Sequence, residues 1–192
     1  TNMSPVMSKF LWNAPEEQAN PEKAKQILEE KKLLPMEFTL KVPNSSKFYL
    51  DTAQSIREQL KDIGITVNLE MIEWATWLSD VYTNKKYVAS LAGLSGKMEP
   101  DAILRRYTST YPKNFTNFNN ARYDVLVEEA KRTSNEAKQV QNYKEAQKIL
   151  SEEQAAIFLM DPNIIIATEK GIEGFQFYPL PYLNFAKLYF KK

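Results

Sequence analysis

The string Gly93-Leu94-Ser95-Gly96-Lys97 comes closest in this chain to a known chemical motif. A P-loop, which cradles phosphates, carries a Ser or Thr directly after its Gly-Lys pair, whereas Met98 stands there. A nucleophile elbow depends on a histidine, and the chain contains none. The string therefore supports neither chemistry. It indicates a glycine-containing loop after a strand, where open α/β sheets commonly bind ligands, and a plain strand-to-helix turn explains it equally well.

Two indoles and two pairs of carboxylates are the other candidates for chemistry. Trp74 and Trp77 lie three residues apart at the start of a predicted helix, so they share one face, and burial in the core is the ordinary explanation. Glu128-Glu129 and Glu152-Glu153 have lysines nearby on predicted helices, which favours solvated helix faces over acid/base catalysis. The residue types thus point to binding rather than to catalysis.

The composition excludes several functions. The 25 Lys and Arg nearly balance the 24 Asp and Glu, which leaves a formal net charge of +1 without a basic run, so we expect no nucleic acid as a partner. Without Cys or His there is no disulfide, no cysteine nucleophile, no Ser-His-Asp triad and none of the usual zinc ligands, and we expect neither metal nor cofactor. The hydrophobic fraction of 43% suffices for a core, and the 192 residues predict one compact unit.

The sequence does not determine the cellular compartment of the protein. No stretch approaches the roughly 18 apolar residues that span a bilayer. Residues 1–9 lack the apolar stretch of a signal peptide. The protein is therefore either cytosolic or exported by a signal that lies outside this sequence.

Alternating helices and strands must position the candidate loop. Asn20 can cap a helix that begins with Pro21, and Gly64 suits the left-handed position at a helix end. The first predicted helix begins at residue 21, and the others span about residues 47–62, 74–84, 123–132 and 136–156. The predicted strands span residues 36–42, 65–71, 87–92 and 164–168. A short helix and a structured loop fill 99–120, a turn lies at 161–163, and 171–192 is an irregular aromatic tail. This order predicts an α/β architecture with parallel pairing.

Short strings in a fixed order carry a family resemblance. They lie at residues 20–28 (NPEKAKQIL), 54–67, 73–93 (the pair EW, then Tyr87 and Gly93), 99–101 (EPD), 117–130 (NFNNARYDVLVEEA), 143–152 (YKEAQKILSE) and 172–175 (IEGF). They resemble the patterns NPEKAKxLL, xIQxxLxxIGIxV, EWxxF…YD…GW, DPD, NxxxYxNxxYDxLLxxA, YxxAQxILxEE and VxGF of the extracellular solute-binding protein family 5. Members of this family capture oligopeptides, dipeptides or nickel for ABC importers.

The resemblance implies an α/β fold of the class II periplasmic-binding-protein type. Residues 1–192 would form the C-terminal lobe, a mixed sheet flanked by helices, and residues 183–192 would return toward a missing N-terminal lobe. The expected partners are a peptide or other small solute, that missing lobe and an ABC permease in the membrane. The expected location is the periplasm or the extracellular face of the membrane, with a lipoprotein anchor and a signal outside this sequence.

The resemblance also implies a ligand site. In peptide-binding members, the Trp of the EW block and the backbone after the following strand line the pocket, which here gives Trp74, Ala92, Gly93, Leu94 and Ser95. Lys97 lies in the region of the acidic residue that receives a peptide's amino terminus in dipeptide binders, within a loop one residue shorter. It could meet an anion, although a solvated lysine at the rim of the loop is slightly preferred.

Other departures from the family pattern concern charge. Leu94 replaces an aromatic residue, and Val81 and Leu91 occupy positions where some peptide binders use arginines for ligand carboxylates. Backbone hydrogen bonds with apolar or aromatic contacts are therefore favoured over a ligand held by charged termini. A bare nickel ion is not expected without His or Cys.

Three functions follow, in order of preference. The first is a ligand-capturing lobe that acts by closure and catalyses no reaction. The second is a self-contained α/β enzyme with carboxylate, Tyr or Lys chemistry near residues 93–97, which should show a closed pocket with a strongly shifted titratable group. The third is a helical interaction module, which should carry its apolar patch on helices.

Overall fold

The structure is a computed structural model that describes residues 2–15, 19–162, 165–178 and 183–191. The chain packs as two compact units rather than the single unit expected from its length. The sheet unit comprises Pro15–Leu94 and Pro112–Asn117, and the helical unit comprises Thr1–Ala14, Ser95–Tyr111 and Phe118–Lys192.

The sheet unit alternates helices with parallel strands. Its elements are α1 (Pro21–Glu30), β1 (Met36–Pro43), α2 (Lys47–Asp62), β2 (Ile65–Ile72), α3 (Trp74–Trp77) with a π-helical continuation (Leu78–Thr83), and β3 (Ala89–Ser90). The sheet order is β2-β1-β3, and Leu40 in the middle strand lies opposite Leu69 on one side and Ala89 on the other. The predicted α/β architecture with parallel pairing is confirmed.

Local chemistry sets the ends of α1 and α2. The side chain of Asn20 accepts a hydrogen bond from the Lys23 N–H at 2.9 Å, and that of Ser46 accepts one from the Phe48 N–H at 3.2 Å. After α2, Gly64 adopts a φ of +90°, a left-handed conformation that costs glycine little. Both helix starts and the glycine stop are as predicted.

Replacing Gly64 by alanine should lower the free energy of unfolding by about 1–2 kcal/mol. The alanine would have to adopt the same positive φ, which is unfavourable for a residue with a Cβ. That Cβ would also lie 3.1 Å from Leu34 Cδ1. Urea unfolding measures the change, with Gly96→Ala as the matched control, because a Cβ at Gly96 meets no atom within 4 Å. An equal cost for the two variants would contradict the prediction.

Two apolar clusters hold the sheet unit together. In the first, Ala53 of α2 packs on Leu40, Val42 and Val67 of the sheet. In the second, Ile72, Trp77 and Val81 pack with Phe115, which arrives from the separate segment Pro112–Asn117. Trp77 is 1% exposed, which confirms its predicted place in the core.

The helical unit is built on two long helices. Its elements are α4 (Pro100–Leu104) with a 3-10 turn (Arg105–Tyr107), α5 (Ala121–Arg132), α6 (Glu136–Glu152), β4 (Ile172–Glu173) and β5 (Tyr189–Phe190), with further 3-10 turns at Pro5–Met7 and Phe185–Lys187. Tyr123 is fully buried in the core of this unit, and its hydroxyl donates to the Leu104 carbonyl at 2.6 Å. Among the described helices, none is long and apolar enough to cross a membrane.

Several predicted bounds were wrong. The strand expected at 87–92 contains only Ala89–Ser90. The helix expected to reach residue 156 ends at Glu152, because Gln154 adopts a φ of +52° and the Ala155 N–H turns back to the Leu150 carbonyl at 3.1 Å. Residues 165–168 hold no strand, and residue 164 of that prediction lies outside the described residues.

The aromatic tail contains more order than expected. β4 pairs antiparallel with β5, so parallel and antiparallel pairing both occur among the described strands, but in separate sheets. Several tail aromatics remain more than half exposed: Phe177, Phe185, Tyr189 and Phe190. Tyr182, also counted in the tail, lies outside the described residues.

Candidate functional site

The candidate site lies at the carboxyl edge of the three-stranded sheet. Because the strands are parallel, the residues that follow each of them meet at one edge, the usual ligand position in open α/β sheets. Asn44 follows β1, Glu73-Trp74 follow β2, and residues 91–94 follow β3. The Asn44 side-chain amide donates to Glu73 Oε1 at 2.6 Å, and the Asn44 N–H donates to the Ile72 carbonyl at 2.9 Å. The ends of β1 and β2 are thus joined.

The partly exposed indole of Trp74 is supported on one face by a buried indole. It is 39% exposed, and its ring stacks on that of Trp77 with centroids 4.9 Å apart and an interplanar angle of 4°. The Trp77 Nε1–H donates to Ser90 Oγ at 2.9 Å, and that hydroxyl donates to the Lys41 carbonyl at 2.8 Å. The exposed ring therefore rests on a buried one that is hydrogen-bonded to β3, which in turn is bonded to β1.

The segment after β3 leaves the sheet with its backbone exposed. The Leu91 N–H donates to the Lys41 carbonyl at 3.1 Å, and the Gly93 N–H donates to Tyr49 Oη at 3.2 Å. Ala92 is partly buried, Gly93 is exposed, and Leu94 is 41% exposed. These residues and Trp74, all predicted for the site, belong to the sheet unit.

Ser95 and Lys97, the other two predicted site residues, belong to the helical unit. The Ser95 carbonyl accepts a hydrogen bond from Arg106 Nη2 at 3.3 Å. Lys97 is exposed and forms no ion pair with any residue that the structure describes.

Val81 and Leu91 are structural rather than polar positions. Val81 is fully buried beside Trp77, and Leu91 packs against the first apolar cluster. The positions where the family resemblance implied arginines for some members therefore contribute to the core here. A ligand carboxylate has no guanidinium to meet at either position.

Two residues at this edge, Tyr49 and Asn44, were not predicted from the sequence. Asn44 could have been found, because it directly follows a predicted strand. Tyr49 gives no local signal, since its contact with Gly93 spans 44 positions in the chain. Only the parallel register of β1 and β3 brings the start of α2 to the end of β3.

Shifted titratable groups lie elsewhere in the described part of the chain. Burial raises the pKa of Tyr87, whose hydroxyl donates to the Phe115 carbonyl at 2.6 Å, and it also raises the pKa values of Tyr107, Tyr123 and Tyr143. A hydrogen bond from Lys138 lowers the pKa of Glu129 on an exposed helix face. None of these five residues lies in the loop at residues 93–97, so they do not support the enzyme alternative.

A separate groove of about 900 Å³ lies on the helical unit. Charged side chains along it form ion pairs with one another, among them Arg132 with Glu128 at 2.6 Å and Lys138 with Glu129 at 3.0 Å. It shares no residue with the candidate site. Within residues 2–15, 19–162, 165–178 and 183–191, no group of His, Cys, Asp and Glu could hold a metal ion.

Comparison with known proteins identifies the family. Residues 1–115 match the family model described as bacterial extracellular solute-binding proteins, family 5 Middle. The oligopeptide-binding protein AppA of Bacillus subtilis (strain 168) is 29% identical over 194 residues, which cover 90% of this chain and 36% of AppA. The chain thus spans about a third of the length of this curated relative.

Solved structures show the same fold. AppA from Bacillus subtilis in complex with a nonapeptide has a TM-score of 0.78 and 28% identity, over 94% of this chain and 40% of that one. The periplasmic binding protein DppA from Helicobacter pylori, in complex with the peptide STSA, has a TM-score of 0.82 over 98% of this chain and 38% of that one, at 21% identity. Since the family model matches more than half of the residues, this chain belongs to the bacterial extracellular solute-binding proteins, family 5.

Proposed function

We propose that this chain is the C-terminal lobe of a two-lobed substrate-binding protein that captures peptides for an ABC importer. The observation that carries the proposal is the carboxyl edge of the sheet, where a supported indole and an exposed backbone segment occur together. One relative supports the ligand class twice: AppA is called an oligopeptide-binding protein, and its solved structure holds a nonapeptide.

The proposed contacts are apolar and backbone contacts. The exposed face of Trp74 offers a flat surface for an apolar or aromatic side chain of the ligand. The backbone of residues 92–94, and of Ser95 beyond them, offers amide and carbonyl groups to an extended peptide, except the Gly93 N–H, which Tyr49 accepts, and the Ser95 carbonyl, which Arg106 holds. Two charged groups of this unit have partners, since Glu73 accepts from Asn44 and Lys47 pairs with Asp51 at 3.1 Å. Peptides with uncharged side chains are therefore favoured, with Lys97 as a proposed rim contact.

The proposed mechanism is closure without bond chemistry. The missing N-terminal lobe would supply the second wall, and residues 183–192 would return toward it. Ligand would shift the population toward the closed form, which then docks to the permease. The proposed location is the periplasm, or the outer face of the membrane with a lipoprotein anchor, and we propose that the protein is no enzyme.

This chain alone should bind short apolar peptides only in the millimolar range, because one wall buries little of a ligand. In an NMR titration with the peptide Phe-Ala-Phe-Ala, the Trp74 indole N–H and the amides of residues 92–94 should shift. The Trp12 indole N–H, in the helical unit, is the internal control, and its signal should not shift.

Two variants test whether the peptide shifts depend on the Trp74 indole. Trp74→Ala should abolish the shifts at residues 92–94, whereas Val125→Ala, which truncates an exposed side chain of α5, should leave them unchanged. Micromolar binding in calorimetry would contradict the one-wall site. Shifts confined to the groove of the helical unit would contradict the location at the sheet edge.

A further inference from the structure

Tyr49 links α2 to the end of β3. Its hydroxyl accepts the Gly93 N–H at 3.2 Å, while its ring packs edge-on against Phe48 with centroids 6.0 Å apart. The ring also packs against the first apolar cluster, so the hydroxyl sits on an anchored side chain. No acceptor for its own proton is present among the described residues.

This contact continues the hydrogen-bond ladder between β3 and β1. The Leu91 N–H donates to the Lys41 carbonyl, and in an extended chain the N–H two residues later faces the same side. The next acceptor along β1 would be the Pro43 carbonyl, but the Gly93 N–H meets Tyr49 Oη instead. The tyrosine hydroxyl thus replaces a β1 carbonyl as the acceptor of one further ladder hydrogen bond, beyond the last paired residue of β3.

Glycine at position 93 is explained by the same contact. A Cβ at this position would lie 2.8 Å from Tyr49 Oη, which is too close for the hydroxyl to stay. The next atoms, Tyr49 Cε1 and Cζ, would lie 3.6 Å away, which is ordinary van der Waals contact. A side chain at residue 93 would therefore displace the Tyr49 hydroxyl.

From these three observations we infer that Tyr49 is a positioning residue for the peptide site, an inference that rests on the proposed function. By holding the Gly93 N–H, Tyr49 sets the direction in which residues 92–94 leave the sheet. It also removes that N–H from the groups offered to a ligand. The peptide then pairs with the remaining groups of an extended edge that is already in place before binding.

Tyr49→Phe tests the inference because it removes the hydroxyl and keeps the ring. In the variant, amide-proton exchange at Gly93, measured by NMR, should become about 2- to 10-fold faster, as expected for one lost hydrogen bond. The shifts that Phe-Ala-Phe-Ala causes at residues 92–94 should require a similarly higher peptide concentration. Tyr87→Phe is the matched control, since it removes a tyrosine hydrogen bond to Phe115 in the same unit and should change neither readout.

A double-mutant cycle gives an independent readout. Gly93→Ala should weaken the peptide shifts when residue 49 is Tyr, and should weaken them much less in the Tyr49→Phe background, where the close contact is gone. If the effects of Gly93→Ala and Tyr49→Phe on the peptide shifts were additive, the positioning role would be wrong while the proposed function stands. The same holds if Tyr49→Phe left the peptide titration unchanged. Absence of any peptide shift in the unaltered chain would overturn the proposed function and, with it, this role.

Discussion

Trp77→Ala should lower the free energy of unfolding of the sheet unit by about 3–5 kcal/mol, or prevent its folding. The indole is 1% exposed and packs against Tyr82 and Phe115 with ring centroids 6.0 and 5.7 Å away. Its loss would leave a cavity, and the Ser90 hydroxyl would lose its donor. Chemical denaturation followed by far-UV circular dichroism measures the effect.

Trp74→Ala is the matched control for this prediction. The two indoles stack on each other, but Trp74 is 39% exposed, so its removal should cost distinctly less. The pair separates stability from binding: Trp77→Ala acts on folding, and Trp74→Ala acts on the peptide titration. Equal losses of stability in the two variants would contradict the division of roles between the rings.

High pH should destabilise the helical unit, with the loss beginning near pH 10. Burial raises the pKa of Tyr143 to about 12 from an ordinary value of 10.0, with smaller contributions from the carboxylates of Asp101 and Glu99. Burial likewise raises the pKa of Tyr123 well above its ordinary value. Above pH 10 the unfolded tyrosines lose their protons while the folded ones keep them, so unfolding releases protons and the free energy of unfolding falls as pH rises.

Tyr143→Phe isolates one contribution to this loss. Between pH 10 and 12, Tyr143 alone should account for a loss of about 1–2 kcal/mol in the free energy of unfolding. The phenylalanine keeps the edge-on contact with Phe10, so the variant should be close to the unaltered chain at pH 8 and should lose less stability at high pH. Urea midpoints at the two pH values measure the difference. The same alkaline loss in both proteins would contradict the assignment.

Local signals explain why much of the sheet unit could be predicted from the sequence. The bounds of α2 follow from a serine cap, a helical stripe and a glycine stop, all within the helix or at its ends. The start of α1 follows from its Asn20 cap and Pro21, and β1 and β2 follow from their alternation of apolar and polar residues. Where a helix ended without glycine, as α6 does at Gln154, no residue type marked the left-handed turn, and the prediction ran four residues too long.

Long-range packing explains what could not be predicted. β3 is short, and its apolar neighbours Tyr87 and Ala92 pack against the cluster of Ile72, Trp77 and Val81. The division into two units also depends on contacts between distant segments, such as Phe115 with Trp77. At the candidate site, Trp74 and residues 92–94 are expected from the family resemblance, whereas no residue pattern in the sequence indicates the Tyr49 contact.

The two units are interleaved along the chain, which limits how the protein can be made and cut. The polypeptide passes from one unit to the other four times, at 14/15, 94/95, 111/112 and 117/118. No single cut therefore releases either unit whole, and during synthesis the helical unit stays unfinished until α5 and α6 have been added. Early folding can begin with residues 15–94, but Phe115 joins their core only after the chain has left that unit and come back.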